Sequence, residues 1–391
     1  MPPLPPDHPL LDRALDPPQP ISDPPPGSVG LDYGMNLGLE RTAGGRLWAC
    51  WIGGGDSEAG YAILATSDDD GVTWSPPRLV IDPHQPSLGI ARRTLVGALW
   101  RDPLDRLWLF FDQSLGYFDG RAGLWCIRCD DPDADRPVWS GPRRLWHGCT
   151  LNKPLVTSDG TWLLPVSLWD RRHIHGRFVD CFPDLDPLRG AHVLASTDQG
   201  RHWTDRGFVV LPQPQFDEHH LVERGDGRIW LTARTALGIH EAFSADGGST
   251  WSPPVPSSIR TVMQPLPWGI NSSRHHLSRL HSGRLLLIKH GADIAEAPTQ
   301  RSHLCAFLSD DDGRTWRGGL MLDERHEVSY PDATQAADGT ISVSWDRNRQ
   351  ADGEILLAHV REEDILARRA ITPGARLGML IRRNQPGPIR T

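Results

Sequence analysis

An all-β fold, a six-bladed β-propeller, is predicted by three features of the sequence. An octet is written four times, a turn-plus-strand unit is written six times, and turn formers and tryptophan are abundant. The octet follows Ser-x-Asp-x-Gly-x-Thr-Trp and reads "SDDDGVTW" at 67–74, "STDQGRHW" at 196–203, "SADGGSTW" at 244–251 and "SDDDGRTW" at 309–316. His202 stands in for Thr in the second copy, and a decayed fifth copy, "DDPDADRPVW", ends at Trp139. Gly (39), Pro (35) and Trp (16) in 391 residues mark a chain of many short strands and turns. Repeats on this scale decide the architecture before any local reading does.

The six units are "AGGRLWACW", "PLDRLWLFF", "SDGTWLLPV", "GDGRIWLTA", "HSGRLLLIK" and "ADGTISVSW". Each is a Gly- or Asp-bearing hairpin turn that feeds a strand of β-type residues. Their ends, at Trp51, Phe111, Val166, Ala233, Lys289 and Trp345, lie 55 to 67 residues apart, the scale of a four-stranded blade plus a loop. In the octets, Ser and Asp side chains can tie off a hairpin through bonds to the backbone, and Trp can wedge between neighbouring sheets. The octets are therefore structural.

A closed ring removes exposed sheet edges, and a strand near residues 28–33 is expected to complete the last blade by pairing the two chain ends. The domain reading is a Pro-rich N-terminal arm (1–27), a propeller (28–372) and a C-terminal tail (373–391), with both end segments outside the ring.

Charge and composition exclude several classes. The net charge of −8, with Lys only at Lys153 and Lys289, leaves no basic footprint for nucleic acid. No run of about 18 apolar residues offers a membrane span, and the Pro-rich start lacks the apolar segment of a secretory signal. The six scattered cysteines fit reduced thiols, so the expected location is cytoplasmic. Cys126 and Cys129 form a single CxxC within a predicted strand, on opposite faces, and no metal or other cofactor is called for.

The segments just before the hairpins should be the innermost strands. They read "YGMNLGLERT", "ARRTLVGALW", "TLNKPLVTS", "DEHHLVERG", "SRHHLSRLH" and "SYPDATQAA". Their starts bring Asn36, Arg92, Arg93, Asn152, Lys153, Glu218, His219, His220, Arg274, His275, His276, Tyr330 and Asp332 toward one axis. Polar groups so dense are costly to bury unless they are paired or used, and they point to a site at one mouth of the channel.

With these motifs the sequence resembles the sialidase superfamily, and within it bacterial BNR-repeat proteins of the neuraminidase type. The octets resemble the Asp-boxes of that superfamily, and the resemblance runs from about residue 28 to 366. It implies a glycoside or oligosaccharide substrate, a Tyr nucleophile in "SYPDATQ" (Tyr330) and its activating Glu in "DEHHLVERG" (Glu218). It also implies an acid/base Asp in "GGGDSEAG" (Asp56) and carboxylate-binding Arg234 and Arg301. The sequence departs from the family at the first inner strand, where Met35 and Asn36 replace an Arg-Ile-Pro motif. Arg93 is the candidate to replace the missing guanidinium, and the sugar is expected to be acidic without having to be sialic acid. The remaining polar groups, Asn36, Asn152, His219, His220, Arg274, His275 and Asp332, are candidate substrate contacts.

The resulting expectation is a retaining exo-glycosidase. Glycosidic cleavage needs an acid for the leaving group and a nucleophile opposite, and Tyr replaces the usual carboxylate where the substrate carries its own acid. Two other readings stay open. One is a glycosidase or lyase acting on a uronate- or rhamnose-containing sugar through the pore histidines. The other is a non-catalytic carbohydrate-binding propeller.

Overall fold

The computed structural model describes residues 2–267 and 269–385. Among these, six antiparallel sheets are arranged as a six-bladed β-propeller, and each is built from consecutive strands running outward from the channel. The inner strands are Met35–Arg41, Gly97–Arg101 (with Arg92–Arg93 beside it), Leu155–Val156, Pro214–Glu223, His276–Arg279 and Val328–Gln335. The core lies between sheets, in apolar clusters such as the one joining Leu308 and Leu320 to Val343, Trp345 and Leu356 across the fifth and sixth blades.

The octets fasten these layers. In the first, Asp69 accepts from the Thr73 backbone (2.9 Å) and hydroxyl (2.6 Å), and Ser67 Oγ accepts from Gly71 N (2.9 Å). His202 reproduces the Thr bond, its Nδ1 lying 2.6 Å from Asp198 Oδ2. The octet glycine is left-handed (φ +75° at Gly71), and an added Cβ would run into Leu357 of the sixth blade. Trp203 meets Phe110 of the second blade edge-on, with centroids 6.1 Å apart, the wedge that the repeat implied.

Both chain ends differ from the expected arms. In the N-terminal segment, Pro20–Ser22 pairs with Leu79–Ile81 as a fifth, outermost strand of the first blade. Leu4, Leu11 and Ala14 are buried in the central core cluster. Gln113 Nε2 donates to Ala14 O (2.7 Å) and Asp16 O (2.8 Å), and Arg121 Nη2 donates to Leu11 O (2.7 Å). Prolines give this segment few donors, and the ring supplies them from its own side chains.

In the C-terminal segment, Arg376–Arg382 is the outer strand of the last blade, paired with Glu354–Val360. That blade is complete without help from 28–33, which forms no strand. Arg382 instead donates to Tyr33 O (2.7 Å) and Leu31 O (2.9 Å), and single backbone bonds from Gly34 N to Arg349 O (3.2 Å) and Gln385 N to Leu31 O (2.8 Å) join it in closing the ring. The end of the expected tail, 386–391, lies outside the described residues.

Candidate active site

Two functional candidates stand on distorted strand starts. The register of Val328–Gln335 against its neighbour shifts between Ser329 and Asp332, and Tyr330 there has φ +50°. On Pro214–Glu223 the register shifts on both sides of Asp217, and Phe216, Asp217 and Glu218 have φ +64°, +58° and +44°. Left-handed non-glycine residues are strained, and such bulges re-aim side chains. Here they bring the Tyr330 hydroxyl to 2.6 Å from Glu218 Oε1.

Arg234, on the strand next to Glu218, donates to both Glu218 oxygens (2.9 Å each) and reaches the Tyr330 hydroxyl (3.4 Å). Its other face is held by Asn271 Oδ1 (2.8 Å), the last residue of the extra hairpin strand Gly269–Asn271, and by the next residue's Ser272 Oγ (3.3 Å). Burial, with Glu218 adding to it, pushes the Tyr330 phenol up to about 12, so the resting phenol keeps its proton.

Three further guanidinium groups face the Tyr330 ring: Arg349 at 4.1 Å, Arg274 at 5.7 Å and Arg301 at 5.9 Å from its centroid. Arg349 went unnoticed in the sequence because it lies in the irregular loop "RNRQADG" after a hairpin strand. Its Nε donates to Asp346 Oδ1 (2.9 Å) and its Nη2 to Ser329 Oγ (2.9 Å), and its guanidinium also bonds the Tyr33 side chain. Burial is the largest influence and opposes its charge, but Asp346, Tyr33 and Tyr330 together outweigh it and raise the Arg349 pKa. Arg301 has no hydrogen-bond acceptor among the described residues; burial, then Arg349 and Arg234, push its pKa down.

Arg93 does not take the place of the missing guanidinium. It is wholly buried, ion-paired to Asp112 through Nη1, and bonded through Nε (2.8 Å) and Nη2 to Tyr117 O. It braces the Tyr117 loop instead. Asp56 lies exposed on a loop of the first blade, where the Tyr117 hydroxyl donates to it at 3.4 Å.

The other polar candidates are framework. Asn36 and Asn152 hold backbone carbonyls of the distorted strands: Asn36 Nδ2 donates to Tyr330 O (2.8 Å) and Asn152 Nδ2 to Glu218 O (2.8 Å). Arg274, 1 % exposed, donates through Nε to Asn152 Oδ1 (2.9 Å) and lies beside Tyr330. His219 bonds His192 O, His220 bonds His275 O, and His275 bonds Thr232 Oγ1, each at 2.8 Å. All three histidines are buried, and burial is the first cause that lowers the pKa of each. These buried rings spend their nitrogens on bonds between neighbouring blades, which makes them framework and not substrate contacts.

Asp332 belongs to a plug across the channel. Lys153 Nζ reaches Glu40 Oε1 (2.7 Å), Asp332 Oδ2 (3.1 Å), Leu39 O (2.7 Å) and Ala333 O (2.9 Å), tying the third blade to the first and sixth. Burial works to raise the Asp332 pKa, but Lys153, His276 and Arg274 hold it well below the usual carboxylate range.

A ring of six sheets with this tyrosine, glutamate and arginine cluster at the channel is a sialidase-like propeller. Among solved structures, the Hadza microbial sialidase Hz136 aligns with TM-score 0.63 at 19% identity, covering 86% of this chain and 67% of that one. The intramolecular trans-sialidase from Ruminococcus gnavus aligns with TM-score 0.61 at 14% identity, covering 87% and 96%. The BNR repeat-like domain matches residues 45–343, and the chain belongs to that family. A curated sialidase of Micromonospora viridifaciens is 25% identical over 183 residues, a match spanning 44% of this chain and 26% of that protein.

Proposed function

We propose that the protein is a retaining exo-glycosidase acting on an acidic sugar, with Tyr330 as nucleophile. The observation that carries this reading is the buried 2.6 Å bond between the Tyr330 hydroxyl and Glu218. A binding module has no need of a phenol held against a carboxylate on strained backbone.

In the first step the Tyr330 oxygen attacks the anomeric carbon and its proton passes to Glu218. The bond to the leaving oxygen breaks as Asp56 donates a proton to that oxygen. In the second step Asp56 takes a proton from water, water oxygen bonds to the anomeric carbon, the bond to Tyr330 breaks, and Glu218 returns the proton to the phenol. A neutral nucleophile avoids repulsion between a carboxylate nucleophile and a substrate acid. Arg301, without an acceptor among the described residues, and Arg349, its guanidinium 4.1 Å from the Tyr330 ring, favour an anionic group on the substrate beside Arg234. Arg349 thus supplies the third guanidinium that the first inner strand lacks.

The test is Tyr330→Phe, assayed on glycosides of N-acetylneuraminic acid and of glucuronic acid. Turnover of whichever sugar the wild type cleaves should fall by at least about a thousandfold, with the melting temperature kept. Undiminished turnover would exclude Tyr330 as nucleophile.

A further inference from the structure

Beside the cleft, a cavity of about 560 Å³ opens between loops of the first three blades. Tyr117 belongs to its wall, and the same side chain donates its hydroxyl to Asp56. Glu58, two residues beyond Asp56, lines it as well. The Tyr117 wall of the cavity therefore adjoins Asp56, the group that meets the leaving oxygen in the proposed reaction. Whatever is bonded to that oxygen must extend past Asp56, and this is a built space next to it.

Its chemistry is specific. Pro86, Ile90, Phe118 and Phe178 face it together with Tyr117. Of its polar wall groups, His84 is already engaged on both ring nitrogens, with Asp82 Oδ1 at 2.6 Å and Glu58 O at 3.2 Å. A second sugar could reach Glu58, Gln85, His175 and Arg177, but hydroxyls set against Pro86, Ile90, Phe118 and Phe178 would go without partners, each at a cost of about 1–3 kcal/mol. An alkyl or aryl group would instead be buried favourably, in a space of the size usual for small-molecule sites. Part of the wall is fixed from a distance. Leu4 N donates to Arg177 O (2.7 Å), and Leu4 packs in the same core cluster as Phe178, so the N-terminal segment anchors the far side.

We infer that this cavity is the leaving-group subsite and that it takes an apolar aglycone, alkyl or aryl, in preference to a second sugar. The inference rests on Asp56 acting at the leaving oxygen, as proposed above.

Two measurements test it separately. The first compares kcat/KM for the methyl and octyl glycosides of whichever acidic sugar is cleaved. Both leaving groups are simple alkanols of like reactivity, so any preference reports binding of the chain. The octyl glycoside should be favoured at least tenfold, and Ile90→Glu should abolish that preference while leaving the methyl glycoside turned over as before. Equal values for the two glycosides in the wild type overturn the inference.

The second is independent of catalysis: 4-methylumbelliferone and lactose, as free leaving groups, are titrated into the Tyr330→Phe protein. The phenol should bind saturably and be weakened at least tenfold by Ile90→Glu or by the milder Ile90→Ser, each checked for an unchanged melting temperature. Lactose should not compete. Tighter binding of lactose, or indifference of the phenol to both variants, overturns the inference even where no glycoside is cleaved. Aglycone binding without any turnover would instead strike the proposed reaction.

Discussion

Asn36 and Asn152 do the same work at two places in the ring. Each sits at the start of an inner-strand segment and sends its Nδ2 across to the neighbouring blade, to the carbonyl of a left-handed residue: Tyr330 O for one, Glu218 O for the other, both at 2.8 Å. Bulging turns those carbonyls out of their own sheets, and an unpaired buried carbonyl is costly. The two carboxamides thus hold Tyr330 and Glu218, the proposed nucleophile and base, in place, where substrate contacts had been expected.

Replacing either asparagine with leucine should therefore behave as loss of positioning. The expected result is a fall in kcat of roughly a hundredfold with KM nearly unchanged, because misplacement by about an ångström carries that scale of loss. Steady-state kinetics on the cleaved glycoside decides it. A change confined to KM would return Asn36 and Asn152 to the role of substrate contacts.

Arg349 and Arg93 should separate cleanly. Arg349→Ala removes a guanidinium 4.1 Å from the Tyr330 ring, and kcat/KM should fall about ten- to a hundredfold, the value of one charge-assisted bond of about 1.5–3 kcal/mol. Arg93→Ala strands the buried Asp112, and denaturant unfolding should show a loss of about 3–5 kcal/mol. If Arg93→Ala instead raised KM at unchanged stability, Arg93 would be the anion-binding group after all.

Deleting residues 2–16 should destabilise the whole ring. It would expose the core that covers Leu4 and Leu11, each worth about 1.5–3 kcal/mol, and leave Gln113 and Arg121 without acceptors. Calorimetry should show a single transition at markedly lower temperature. An unchanged transition would make the segment a passive arm.

Acid should weaken the fold through its histidines. His219, His275 and His290 are pushed down from 6.5 to about 4, 3 and 3, with burial the first cause in each. Below pH 6.5 the unfolded chain takes up protons that the folded chain refuses, so stability falls as pH falls. Each such histidine contributes about 1.4 kcal/mol per pH unit until its folded pKa is reached. Between about pH 6.5 and 4.5 the histidines dominate the slope, offset by one proton that buried Asp217, pushed up to about 7 by burial, takes up in the folded state. His219→Gln should flatten it by about one proton, and an unaltered slope would refute the assignment.

The fold was legible because its repeats are local. Ser, Asp, Gly and Trp at fixed offsets make a self-contained bonded turn, so the pattern in sequence is the pattern in space. Tyr330, Glu218, Arg234 and Arg301 were implied by the resemblance to sialidases, and the structure gathers all four. What was hidden depends on partners far along the chain. Nothing near Arg93 announces Asp112, and nothing near Arg349 announces that its loop returns over Tyr330. The Pro-rich start looked like an arm because its bonds are donated by Arg92, Gln113 and Arg121 of the ring. The alternating "RLGMLIR" was passed over in a stretch flanked by Gly and Pro.

The joint between the last blade and the first has a bearing on biosynthesis. Each blade is a contiguous stretch of chain, so a growing polypeptide can complete its sheets one after another in order of emergence. The joint is different: Arg382 grips Leu31 and Tyr33, and Asn36 grips Tyr330, across most of the chain's length. The tyrosine is therefore seated only when the first and sixth blades meet. A growing chain whose sixth blade is not yet made would carry most of the wall of the site but hold Tyr330 in no fixed place, so competence would arrive in one event as that blade joins the first.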